Sequence, residues 1–66
     1  MTELEKLKHL LEHWIEHNDA HIQTYKEWAA KADTLGEKEL AEILGRIADE
    51  SRGLETLFNK AIQIIK

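Results

Sequence analysis

Cysteine and proline are both absent from this 66-residue chain, and glycine occurs only at Gly36, Gly45 and Gly53. Without cysteine there is no disulfide, no iron–sulfur cluster and no thiolate metal site. The same absence leaves the redox compartment open. Without proline, nothing interrupts long helices by removing a backbone donor. Positive charge is also scarce: nine Lys and Arg stand against thirteen Asp and Glu, for a net charge of −4. That balance argues against nucleic-acid binding, which draws on a clustered basic patch. No apolar run approaches the ~18 residues of a membrane span. The opening residues Met1-Thr2-Glu3-Leu4-Glu5-Lys6 have no secretory pattern. A cytoplasmic protein is therefore expected, with neither nucleic acid nor membrane as a partner.

What remains is rich in Ala, Leu, Ile, Glu and Lys, with 33% charged residues. Such a composition belongs to long helices. The length allows one domain, residues 1–66, with a small core. A domain of this size buries only about 60% of its unfolded surface and usually needs a staple. With disulfides excluded, the staples left are a histidine-bound metal and self-association.

The pattern predicts a helix over 3–34, a turn over 35–37 and a helix over 38–65. Thr2 followed by Glu5 reads as a capping box that satisfies two orphan amides. Gly36 is placed to end the first helix in the left-handed conformation. Glu37 and Glu39 fall where the dipole of a second helix favours negative charge.

In the first helix the apolar positions Leu4, Leu7, Leu11, Trp14, Tyr25, Trp28, Ala32 and Leu35 recur at alternating steps of three and four, interrupted by Asn18 and His21. In the second, Leu40, Leu44, Ile47, Ser51, Leu54, Phe58, Ala61 and Ile65 do the same. Both read as seams packing against other helices.

A short connection makes the helices antiparallel neighbours. Counting outward from the turn sets Trp28 near Leu44, Tyr25 near Ile47, His21 near Ser51, Asn18 near Leu54 and Trp14 near Phe58. Asn18, His21 and Ser51 then form one buried polar layer, a device that fixes register and oligomeric state. Gly45 and Gly53 each cost about 1 kcal/mol against alanine inside a helix. They are either close-approach positions for a Trp ring or plain surface.

The apolar faces are wider than one helix–helix contact needs. Leu10, Ile15, Ile22 and Ala29 flank the first seam; Ile43, Leu57, Ile64, Ala41, Ala48 and Ile62 flank the second. A lone hairpin is expected to leave Ile15, Ile22, Ile62, Leu57 and Ile64 partly wet. The simplest remedy is a homodimer forming a four-helix bundle. A different protein partner is the other candidate.

All four histidines lie four apart, at His9, His13, His17 and His21. Residues four apart are neighbours on a helix surface, but each step advances about 40° around the axis. The stripe therefore winds from solvent at His9, past His13 and His17, to the seam at His21. Two imidazoles at i and i+4 can chelate one divalent ion, and imidazole suits Zn, Ni, Co and Cu. The best pair is His17 and His21, with Glu50 as third ligand and His13 in reserve, within one chain or across a dimer. The competing reading makes His21 a hydrogen-bonding member of the polar layer with Asn18 and Ser51. A third is pH sensing, because four imidazoles near pKa ~6.5 titrate together on acidification.

Catalysis finds little support. Ser51 and Thr24 are mid-helix hydroxyls without the free backbone amides of an oxyanion hole. The Glu-x-x-His pair of di-iron bundles is missing from the second helix.

The segment His13-Trp14-Ile15-Glu16-His17-Asn18-Asp19-Ala20-His21, followed by Tyr25-Lys26-Glu27-Trp28-Ala29, resembles a small uncharacterised prokaryotic helical-hairpin family. Its members share a His-Trp-Ile-Glu-His-Asn-x-x-His core and an aromatic-x-x-Trp-Ala continuation. The resemblance spans nearly the whole chain and implies a helical hairpin, a loose link to transition-metal handling and no established activity. The expectation is an all-α antiparallel hairpin, dimerising into a four-helix bundle, that serves as a non-catalytic binding or assembly module. The alternative is a divalent transition-metal binder; no other cofactor is implied.

Overall fold

Thr2 opens the first helix as expected. Its hydroxyl accepts from the Glu5 amide at 3.1 Å, and the Glu5 carboxylate accepts from the Thr2 amide at 3.4 Å. In the computed structural model, which describes residues 2–65, helix α1 then runs Glu3–Thr34 and helix α2 Lys38–Ile65. The end residues 1 and 66 of the expected domain lie outside the described ones. The two helices pack against each other as an antiparallel hairpin. Its Cα trace measures 51 × 16 × 10 Å, a slab two helices wide and one helix thick.

The turn is a Schellman motif. Gly36 has φ 85°. Its amide donates to Asp33 O at 3.0 Å, and the Glu37 amide donates to Ala32 O at 2.9 Å. Glu37 does not join the first turn of α2, where Glu39 alone is acidic; it caps the helix, its carbonyl accepting from the Ala41 amide at 2.9 Å. Lys38 Nζ closes the corner on Asp33 Oδ1 at 2.7 Å.

A side chain at φ 85° is strained even with open space around it, whereas nothing lies within 4 Å of a methyl group added at Gly45 or Gly53. The close-approach reading of those two glycines is therefore corrected: no Trp ring packs on them. Opposite outcomes are expected. Gly36→Ala lowers stability by about 1–2 kcal/mol. Gly53→Ala raises it by up to about 1 kcal/mol by restricting the unfolded chain. Urea unfolding midpoints of the two variants check both signs.

The core differs from the expected seam by a rotation. Its members on α1 are Leu11, Ile15, Asn18, Ile22, Tyr25, Ala29 and Ala32; on α2 they are Ala41, Leu44, Ala48, Ser51, Glu55, Phe58, Ile62 and Ile65. Among the described residues only Leu11, Ile22, Ala32 and Ala48 are buried, Ile22 completely. Each helix is turned by about 50° from the expectation, taking ~100° per residue. Ile22, expected to be partly wet, is buried; Ile15 and Ile62 are half-buried, and Leu57 and Ile64 are exposed. Trp14, Trp28, Leu40, Ile47 and Leu54, expected inside, are exposed.

Alanine explains the choice. Ala29, Ala32, Ala41 and Ala48 line the turn half of the contact, where the connection draws the backbones together and a Trp ring would hold them apart.

The polar layer is rebuilt accordingly. Asn18 Nδ2 donates to Ser51 O at 2.7 Å and reaches Glu55 Oε2 at 3.5 Å. Asn18 and Ser51 are half-buried, but His21 is exposed. No polar side chain is buried in the single chain among the described residues. The expected Asn18, His21, Ser51 layer is thus corrected: Glu55 takes the place of His21 because both helices are rotated.

Glu55 also faces Asp19 across the hairpin. Their hydrogen bond raises the Glu55 pKa above the ordinary 4.5, helped by desolvation and by the Asp19 charge. A carboxyl whose pKa is raised by folding stabilises the fold below its unfolded pKa. That contribution is lost as pH rises through the folded pKa. Glu55→Gln should therefore raise the melting temperature at pH 7, and its advantage should shrink toward pH 4.5; a lower melting temperature at pH 7 would contradict this charge clash.

Candidate functional site

The rotation that covers one half of each apolar face leaves the other half open. Along α2 the open stripe reads Leu40, Ile43, Ile47, Glu50, Leu54, Leu57, Ala61, Ile64, again with alternating steps of three and four. Its large apolar members are exposed, from 39% for Ile47 to 83% for Ile64. Along α1 the corresponding stripe is Leu7, Leu10, Trp14, His17, His21, Thr24, Trp28, Lys31 and Leu35, all exposed. Both stripes lie on the same rotational side of their seams. In antiparallel helices this puts them on the same broad face of the slab.

The opposite face differs in chemistry. Lys8, Glu12, Glu16 and Asn59 border a shallow groove there, floored by Ile15 and Ile62. One face of the hairpin is polar, as solvent requires. The other is an unfilled helix-packing surface, far larger than scattered surface apolar residues produce.

The open face has polar residues at its middle. The Asn18 contacts with Ser51 and Glu55 set the register and place Glu50 level with His21. So His17, His21 and Thr24 of α1 share a level with Glu50 of α2. Trp14 and Leu54 lie to one side of it, Trp28 and Ile47 to the other. The Thr24 hydroxyl donates to Ala20 O at 3.2 Å, as mid-helix threonines do. Beyond the centre, Lys31 Nζ sits 4.2 Å over the Trp28 ring, a cation–π contact on the rim.

The histidines form a ladder of rings. His13 and His17 meet edge-on with centroids 4.3 Å apart, and His17 and His21 are 6.4 Å apart. His21 stacks on Tyr25 at 6.1 Å and 17°. His9 lies outside the ladder, its Nδ1 3.5 Å from Glu12 Oε1. All four histidines and Glu50 are exposed. Among the described residues no three His, Asp or Glu side chains converge to hold a metal ion. The chain by itself thus brings His13, His17 and His21 into sequence along one edge and puts Glu50 at their level on the other helix. It does not close them into one coordination sphere.

The contact of Asp19 with Glu55 was not foreseen from the sequence. It depends on the rotation, since in the expected seam neither residue faces the other helix.

A two-helix hairpin with one solvated face and one unpartnered apolar face is the class of protein these features define. Residues 7–65 match the family described as Domain of unknown function (DUF8180), and the chain belongs to that family. It is 36% identical over 62 residues to an uncharacterized protein of Archaeoglobus fulgidus, covering 94% of this chain and 98% of that one. No solved structure matches. No described helix is long and apolar enough to cross a membrane.

Proposed function

We propose that this chain is an assembly module without catalysis of its own, in which two hairpins pair through their open faces into a four-helix bundle. The second heptad stripe of α2 carries this reading. Seven of its eight positions are apolar, a pattern that solvent exposure alone gives no reason for. With only four of the described residues buried, the single hairpin also has a thin core for its length.

The size of the face agrees. Its broad side measures 51 × 16 Å, about 800 Å² in projection and close to the ~800 Å² each partner buries in a standard stable interface.

A second copy fits better than an unrelated partner because the face matches itself. Its polar residues lie at the midpoint of both helices, with apolar surface on either side. A two-fold operation through that level sets apolar halves on apolar halves and the polar centre on its own image. Among the described residues of one chain no third His, Asp or Glu stands with His17 and His21.

Trp14 and Trp28 both lie on the open face, so pairing moves them out of water. On dilution from about 100 µM to 0.1 µM, tryptophan emission should shift to longer wavelength with constant helical circular dichroism. Emission that does not change over that range, together with a one-chain mass at its upper end, would count against pairing.

A further inference from the structure

We propose that pairing assembles a metal centre that neither chain can form alone, from His17, His21 and Glu50 of both protomers, taking a divalent transition-metal ion. The inference rests on the dimer reading above and adds what the centre of its interface does.

Within one chain the His17 and His21 rings have centroids 6.4 Å apart. An imidazole nitrogen binds such an ion at ~2.0–2.1 Å, which in a tetrahedral site sets ring centroids about 5 Å apart, so the two exposed rings must close by about 1 Å through a change of rotamer. Two ligands fall short of the three or four that a protein site supplies, and among the described residues of the single hairpin no third approaches. Face-to-face hairpins have two possible two-fold arrangements. One sets the histidine pair opposite the partner's Glu50; the other sets it opposite the partner's histidine pair. Only the first unites the histidine pair with a Glu50 carboxylate, completing a sphere of three ligands at each of two symmetric sites, and it is the one proposed.

The chemistry of the interface asks for a cation at this place. Glu50 is the one charged residue in the α2 stripe, and covering the face removes its carboxylate from water. A buried carboxylate must be paired or bound to metal. A divalent ion held by the facing imidazoles supplies positive charge to the carboxylates. Borderline ions of the Zn, Ni, Co and Cu group suit a nitrogen-rich site with a carboxylate; Mg and Ca, which prefer oxygen, do not.

The test uses the full chain freed of metal with EDTA, then titrated with zinc by calorimetry while sedimentation reads the mass. Cobalt in place of zinc supplies an absorbance signature of nitrogen coordination. The expected result is a dimer in EDTA that binds zinc at no more than one ion per chain. The His17→Ala/His21→Ala variant should stay folded, its changes being on the surface of the hairpin. It should lose affinity by ~100-fold or more, since loss of a residue that merely orients a ligand already costs roughly 10–100-fold. Glu50→Gln should weaken binding in the same direction, and His9→Ala should leave it unchanged. A dimer that binds no zinc tighter than about 100 µM, or binds it equally well without His17 and His21, overturns the centre while leaving the assembly reading intact. A monomer in EDTA that remains one in zinc overturns both, even if it binds the ion.

Discussion

The double variant Ile47→Glu/Leu54→Glu is expected to sediment as a single hairpin at concentrations where the parent chain is paired. Both residues sit on the open stripe of α2, to either side of Glu50, and both are exposed in the single chain. The hairpin has little to lose from their replacement. The dimer loses each apolar side chain twice, once per copy. Pairing can cover only the 39% of Ile47 and 46% of Leu54 that the hairpin leaves exposed, so at about 1.5–3 kcal/mol for a fully buried Ile or Leu the interface forfeits about 3–5 kcal/mol. That is roughly two to four orders of magnitude in dissociation constant, before the cost of burying four new carboxylates. The matched control is Glu12→Gln/Glu16→Gln on the polar face, which should leave the mass unchanged. Loss of helicity in the Glu variant, or an unaltered mass, would show that the stripe is not the contact.

Ile22→Ala is expected to have the largest effect on folding itself. Ile22 is 0% exposed, the most completely buried side chain of the hairpin. It lies midway along the seam, one turn from the Asn18 hydrogen bond to Ser51. Cutting a buried Ile to Ala costs about 2–5 kcal/mol, more where the site cannot collapse. Domains carry roughly 0.05–0.15 kcal/mol of stability per residue, so a chain of this length has only about 3–10 kcal/mol to lose. The variant should unfold at much lower urea concentration, to the point of being partly unfolded in buffer. Trp14→Ala, a larger deletion on the open face, should affect the isolated hairpin far less. The comparison is best made at a concentration low enough to keep both variants unpaired. If Trp14→Ala proved the more damaging there, the seam would lie where the simple heptad reading put it.

That contrast marks where the sequence was legible and where it was not. Local signals were sufficient for the helices and the turn. The Thr2 and Glu5 pair and Gly36 act through bonds a few residues long, so their spacing alone specifies them. The level of pairing was also readable, because the turn sets how far each residue stands from it. The rotation of each helix was not.

Three columns of α1 are apolar, one holding Leu11 and Tyr25, a second Trp14 and Trp28, a third Ile15, Ile22 and Ala29. A period of 3.6 residues measures the width of such a face without saying which half meets the nearer helix. Side-chain size decides that. The alanines near the turn let two backbones approach; the tryptophans do not. Read for volume as well as polarity, the same residues point to the seam that forms.

The histidine stripe was expected to wind from solvent at His9 to the seam at His21, but all four histidines are exposed. His21 reaches the open face, where it lies level with Glu50, instead of the interior of the hairpin. Its place in the polar layer passed to Glu55. For this reason the question of ligand or core residue turns on whether the face is covered, and by what.

Sedimentation of the unmodified chain in EDTA, at tens of micromolar and neutral pH, tests that claim most directly. A species of twice the 7.7 kDa chain mass, falling to one chain mass in the Ile47→Glu/Leu54→Glu variant, is the predicted result. A single 7.7 kDa species with full helicity at high micromolar concentration would contradict the account, leaving the open face without a second copy to cover it.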